Sequence, residues 1–250
     1  MKLFLRKIND NVEYIQLCPN GSRRSKDAIR NRHIEDIKSC HSGLTGDSLI
    51  EFVLEFIEKT RFREEEYDAI LIEDDKDNRF LRLEADGSSE IDNEGWATFR
   101  SKTTEAIHAK YQGIPVLFLY AAPEVETWFL ADWENSFGTV FRNILTSEQN
   151  KLFSVRFHRH VNSEILTRKY EDSLEQYGYF EGVYRKLSEE IQQALLRIDF
   201  LDDGKPDEHQ LPRYSKRVQG ETMLEEIDPD VVMQRCSVFF KSGMLALQTL

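Results

Sequence analysis

The alternation of apolar and polar segments along the chain predicts a mixed α/β protein. Segments 68–72 and 114–120 are short and mostly apolar, which is typical of strands buried on both faces of a sheet. Segments 48–60 and 95–107 carry apolar residues at helical spacing. Because helices and apolar strands alternate, we expect a mostly parallel sheet flanked by helices.

The pattern changes after residue 135, where longer helical stripes replace the strands. Residues 180–198 carry one such stripe, and Asp228 with Pro229 has the form of a helix cap followed by a first-turn proline. We therefore predict an α/β core over residues 1–135. Residues 136–250 are predicted to form a helical C-terminal region that packs on or completes this core.

Composition limits the classes of function. The chain has 250 residues with 40% hydrophobic content, and its net charge of −12 excludes a protein that coats nucleic acid with its whole surface. It has no run of 18 apolar residues and no signal-peptide cleavage site, so we expect a cytoplasmic protein without membrane association. Three cysteines without a C-x-x-C pair indicate neither a disulfide framework nor a zinc knuckle.

The densest basic run of this acidic chain lies at residues 23–38. Its cations suit contacts with a nucleic-acid backbone, which binds Lys and Arg independently of sequence. The candidates for this contact are Arg23, Arg24, Lys26 and Arg30. The alternative is an amphipathic helix with a solvated basic face.

Acidic residues crowd the end of the first apolar strand. Asp74, Asp75 and Asp77 lie in the stretch AILIEDDKDNRF, residues 69–80. Two carboxylates ~4 Å apart repel by about 4 kcal/mol at an effective dielectric of ~20, so such a cluster splays into water, becomes protonated or binds a cation. Mg²⁺ prefers one or two carboxylates with waters and substrate phosphates, and the D-x-D spacing of Asp75 and Asp77 can point both side chains the same way from an extended strand end. A solvated acidic loop is the alternative.

A second acidic motif, AAPEVETWFLAD, follows the 114–120 strand. If the two strands are neighbours, its Glu124 and Glu126 lie near the aspartates, and carboxylates from two strand ends can hold a metal that activates water for phosphodiester hydrolysis. The alternative is that both glutamates only stabilise the positive end of a helix dipole. We expect Trp128 to pack in the core.

Three motifs in order carry a resemblance to a known family. They are D-D-x-D from Asp74, P-E-h-E-x-W-h-h-A-D from Pro123, and the C-terminal YSKRVQGETMLEEIDPDVVMQRCSVFF. Together they cover residues 65–245 and resemble a family of bacterial proteins of unknown function related to the TOPRIM fold. That family is similar to the nuclease parts of OLD and RloB proteins and is often encoded beside an ABC- or SMC-type ATPase in phage-defence loci.

The resemblance implies a TOPRIM-like core that binds Mg²⁺ or Mn²⁺ and cleaves DNA or RNA as an antiphage effector with an ATPase partner. It implies that five acidic residues are candidates to bind the metal: Asp74, Asp75, Asp77, Glu124 and Glu126. Glu126 and Lys216 would be catalytic, with Lys216 offsetting charge on the phosphate or assisting proton transfer. The chain has no P-loop motif, so the ATPase would be a separate protein.

The first predicted strand departs from the family pattern. A TOPRIM core normally begins with a strand that ends in Glu, whereas the strand predicted from Val12 ends in LCPNG without an acid. There are three alternatives. Either Glu13 or Glu35 takes the place of that Glu, or the family's first strand is absent, or the site has lost catalysis. The last alternative gives a rival hypothesis, a non-catalytic TOPRIM-derived sensor or adaptor that binds a protein partner. A third hypothesis is an acidic mimic of DNA.

Overall fold

The structure of the protein is a computed structural model. It describes residues 1–16, 45–59, 67–142, 159, 173–197 and 214–250. The predicted nucleic-acid contacts Arg23, Arg24, Lys26 and Arg30 lie outside the described residues, as does Glu35.

Helices dominate the described part of the chain, and short strands interrupt them. The helices are α1 (Lys2–Ile8), α2 (Gly46–Lys59), α3 (Asn93–Lys110), α4 (Glu126–Ala131), α5 (Phe137–Arg142), α6 (Leu187–Arg197), α7 (Lys216–Glu226), α8 (Pro229–Arg235) and α9 (Phe239–Gln248). The strands are β1 (Ile70–Asp75), β2 (Leu81–Leu83), β3 (Ser89–Ile91), β4 (Val116–Ala121), β5 (Tyr179–Phe180) and β6 (Val183–Tyr184). None of these helices combines the length and apolarity needed to cross a bilayer.

The central sheet of the described residues is a parallel pair, β1 and β4. Ile70 pairs with Val116, and the register continues to Asp75 opposite Ala121. This pair confirms the predicted mixed α/β class, with a small parallel sheet flanked by helices. Both strands end at the same edge, so the segments that follow them start side by side.

The two faces of the sheet pack against different cores. Ile70 and Ile72 of β1 belong to a core with Trp96 of α3, whereas Leu71 packs against a core that contains Trp128 of α4. Trp128 is 1% exposed and its ring stacks on Phe4 at 5.4 Å, as expected of a core residue. Because successive side chains along a strand point to opposite faces of the sheet, consecutive carboxylates at the end of β1 lie on opposite faces.

The C-terminal helices pack directly on the sheet. Asp228 caps α8 by accepting from Asp230 N at 2.9 Å, and Pro229 is the first helical residue, which confirms the predicted start. Helix α9 lies against β4 so closely that a Cβ at Gly243 would lie 2.4 Å from the Phe118 carbonyl oxygen. The helical region therefore shares a core with β4.

Several local predictions are wrong. The described residues 13–16 form no strand, and the helix α1 precedes them instead. The stripe over 180–198 is helical only from Leu187, because residues 179–184 form the β5–β6 hairpin with Glu181 at φ 50° and Gly182 at φ 79° in its turn. Residues 81–91, for which no element is predicted, form the β2–β3 hairpin.

Candidate active site at the carboxyl edge of the sheet

Asp75 is the last residue of β1, and its two carboxylate oxygens have separate partners. Oδ1 accepts a hydrogen bond from Val125 N at 3.1 Å, in the turn after β4. Oδ2 accepts from the Lys216 ammonium at the start of α7. Asp75 therefore connects the ends of both strands to a segment far along the chain.

Glu126 is the first residue of α4 and is completely buried. Its Oε1 accepts a hydrogen bond of 2.7 Å from the Tyr214 hydroxyl. Its Oε2 has no hydrogen-bond partner among the described residues and lies 3.9 Å from Lys216 Nζ. Burial raises the pKa of Glu126 to about 7, although Lys216 and the Tyr214 hydrogen bond act in the opposite direction.

Lys216 is a half-exposed cation within reach of both carboxylates. Burial alone would lower the pKa of its ammonium, but the charges of Asp75 and Glu126 raise it by more. The three residues come from three separate segments of the sequence, and the fold brings them together. Sequence reasoning missed Tyr214, although it opens the YSK motif that contains Lys216.

Two of the predicted metal ligands have structural partners instead. The buried Glu124 accepts from Ser188 N at 2.9 Å and from the Ser188 hydroxyl at 3.0 Å, so it satisfies the amino end of α6. Asp74 leaves β1 on the face opposite to Asp75 and accepts from Gly46 N at 2.8 Å and Arg79 Nη2 at 2.6 Å. Burial raises the pKa of Asp74, while these donors act against it.

Asp77 lies beyond the end of β1. Its φ of 52° breaks the extended chain, and its backbone N donates to the Pro123 carbonyl at 2.7 Å. The assumption that Asp75 and Asp77 project together from an extended strand is therefore wrong. The turn that contains Asp77 nevertheless packs against the residues that precede Glu124.

Asp75 and Glu126 are the donor set that could receive a divalent metal. Within the described ranges, no group of three or more His, Cys, Asp and Glu residues is arranged to hold an ion. Mg²⁺ is commonly bound by one or two carboxylates, with water and substrate phosphates completing its shell. Because Glu126 Oε2 is buried and no described residue forms a hydrogen bond with it, the pair fits such a site once Lys216 moves aside.

Comparison of the chain with protein-family models, with curated proteins and with solved structures found no match. A functional hypothesis for the protein therefore depends on the geometry of its own residues and on the sequence motifs that they form.

Proposed function

We propose that the protein is a TOPRIM-like nuclease that depends on Mg²⁺ or Mn²⁺. The observation that supports this function is the convergence of Asp75, Glu126 and Lys216 at the carboxyl edge of a parallel β1–β4 pair. Sites collect at this edge in α/β sheets, and two carboxylates beside one cation are suited to phosphodiester chemistry.

Each of these residues has a role in the proposed reaction. A divalent ion bound by Asp75 and Glu126 would supply Lewis-acid chemistry to the scissile phosphate and its attacking water. The Val125 N–H fixes one oxygen of Asp75, and Tyr214 fixes one oxygen of Glu126. Lys216 then turns from the carboxylates to the phosphate and offsets the charge that develops there.

Metal binding at Glu126 should depend on pH. With its pKa raised to about 7 in the metal-free protein, the side chain holds a proton near neutral pH that a bound divalent ion would displace. Glu124 and Asp74 already have hydrogen-bond partners, so we assign them the support of α6 and α2 rather than the metal. The resemblance further suggests a cytoplasmic antiphage effector that works with an ABC- or SMC-type ATPase and binds DNA or RNA through its basic run.

The test is cleavage of single- and double-stranded DNA and RNA with Mg²⁺ or Mn²⁺. Asp75→Asn and Glu126→Gln preserve side-chain shape, and we expect the double variant to lose metal-dependent cleavage while keeping the wild-type circular dichroism spectrum. Glu221→Gln, on the exposed side of α7, is the matched control and should cleave normally. Full cleavage by the double variant would exclude this site.

The second candidate function is a non-catalytic, TOPRIM-derived sensor or adaptor. It is favoured by the ion pairs of Arg79 with Asp74 and of Lys216 with Asp75, since these pairs compensate the charges of the two aspartates without a metal. Calorimetric titration with Mn²⁺ separates the two functions. A folded wild-type protein that binds no Mn²⁺ would favour the adaptor.

A further inference from the structure

Tyr214 is held firmly beside the candidate site. It is 4% exposed, and its ring packs edge-on against Phe137 with centroids 5.3 Å apart. Its backbone carbonyl accepts a hydrogen bond from the Gln192 side chain of α6. With ring and backbone both fixed, the hydroxyl has a defined position, 2.7 Å from Glu126 Oε1.

This hydrogen bond determines how the Glu126 carboxylate is presented. A glutamate side chain has several rotatable bonds, so an untethered carboxylate populates several orientations. Here one oxygen accepts a hydrogen bond from Tyr214, and the other lies 3.9 Å from Lys216 Nζ with no hydrogen-bond partner in the part of the chain that the structure describes. Tyr214 therefore occupies Oε1 of Glu126 and leaves Oε2, the oxygen near Lys216, available to a cation.

We propose that Tyr214 is a positioning residue of the metal-dependent reaction, holding Glu126 so that Oε2 is presented to the cation. This inference rests on the proposed function and deepens it. Tyr214 acts through Glu126 and does not itself contact substrate. Donors that orient metal-binding side chains typically contribute about 10- to 100-fold in metal affinity or activity.

The experiment compares Tyr214→Phe, which removes only the hydroxyl, with the wild-type protein. We expect the Kd for Mn²⁺, measured by calorimetry, to rise about 10-fold or more and kcat for cleavage to fall, with the KM for nucleic acid unchanged. Tyr179→Phe removes a hydroxyl from the β5–β6 hairpin and is the matched control. It should leave all three quantities at their wild-type values.

A double-mutant cycle separates positioning from a general packing effect. Because Tyr214 acts through Glu126, adding Tyr214→Phe to Glu126→Gln should cause no further loss of Mn²⁺ affinity. Additive losses would overturn the inference, as would a folded Tyr214→Phe variant that binds Mn²⁺ and cleaves as the active wild type does. A wild-type protein that neither binds Mn²⁺ nor cleaves would overturn the proposed function, and this inference with it.

Discussion

Glu126 illustrates how the fold changes the chemistry of a single residue. Its carboxyl group is fully buried, and its pKa rises from 4.5 to about 7. Such a group exchanges its proton in the physiological range, which an exposed glutamate does not. The same burial makes its ionisation costly for the folded state.

The stability of the protein should therefore depend on pH through Glu126. Between pH 4.5 and about 7 the folded state binds more protons at Glu126 than the unfolded state does. The contribution of Glu126 to the free energy of unfolding is therefore present at low pH and is lost as pH rises through the folded pKa. Glu126→Gln does not titrate, so the variant lacks this pH-dependent loss of stability. We expect the unfolding free energy of the variant, relative to wild type, to increase by about 2 to 3 kcal/mol from pH 5 to 8.

Urea denaturation at several pH values measures this difference. Glu221→Gln provides the comparison for an exposed glutamate, and its unfolding free energy should follow that of wild type across the range. If Glu126→Gln and wild type have parallel pH profiles, the folded protein does not raise the pKa of Glu126.

Sequence motifs single out individual residues, whereas the face on which each side chain lies depends on strand geometry. The motifs identified Asp75, Glu126 and Lys216, which the fold brings together. The separation of Asp74 from Asp75 follows from β1 extending to Asp75, three residues beyond the predicted end. Adjacent residues within a strand face opposite ways, so a small error in a strand boundary places a side chain on the wrong face.

At the scale of elements, the amino end of α9 depends on a residue distant in sequence. Its N-cap residue, Val238, provides no side-chain hydrogen bond. Instead, the buried Glu175 accepts from the backbone N–H of Val238 at 2.6 Å, of Phe239 at 3.0 Å and of Phe240 at 2.8 Å. One carboxyl group thus satisfies the first turn of the helix that covers β4.

Glu175→Gln should weaken this connection, because the amide has a single acceptor oxygen and brings an NH₂ group toward backbone N–H donors. We expect a loss of about 2 to 4 kcal/mol in the free energy of unfolding, since buried donors are left without acceptors. Denaturant unfolding measures the loss, with Glu181→Gln in the exposed β5–β6 turn as control. A loss below about 0.5 kcal/mol would show that α9 is capped in another way.

Elements that follow from a local sequence pattern could be predicted, whereas contacts between distant segments could not. The β1 and β4 strands and the helix α3 follow from apolar runs and helical spacing. The β5–β6 hairpin was missed because Phe180 and Tyr184 continue the spacing of the helix that starts at Leu187. No local pattern links Glu175 to α9, because their pairing arises only when the chain is folded.

At the scale of the whole molecule, the fold brings three distant segments together and places one ammonium group beside two carboxyl groups. The end of β1, the start of α4 and the start of α7 contribute Asp75, Glu126 and Lys216 to one site. Lys216 Nζ pairs with Asp75 and lies 3.9 Å from Glu126 Oε2, so it offsets the charge of these carboxylates in a chain whose net charge is −12. In the proposed function, a divalent cation would act in this place.

Replacing Lys216 should make the stability of the molecule more dependent on metal. In Lys216→Met, Asp75 and Glu126 lose their compensating cation, so we expect a lower melting temperature than wild type without metal. Mn²⁺ then has no competing cation, so it should bind more tightly and raise the melting temperature by more than in wild type. Cleavage should nevertheless fall, because the variant cannot offset charge on the phosphate.

Lys102→Met, at an exposed position of α3, is the control and should match wild type in each measurement. A Lys216→Met variant whose melting temperature rises no more with Mn²⁺ than that of wild type would mean that the ammonium and the metal do not share a position, and the two-carboxylate site would then have to be abandoned.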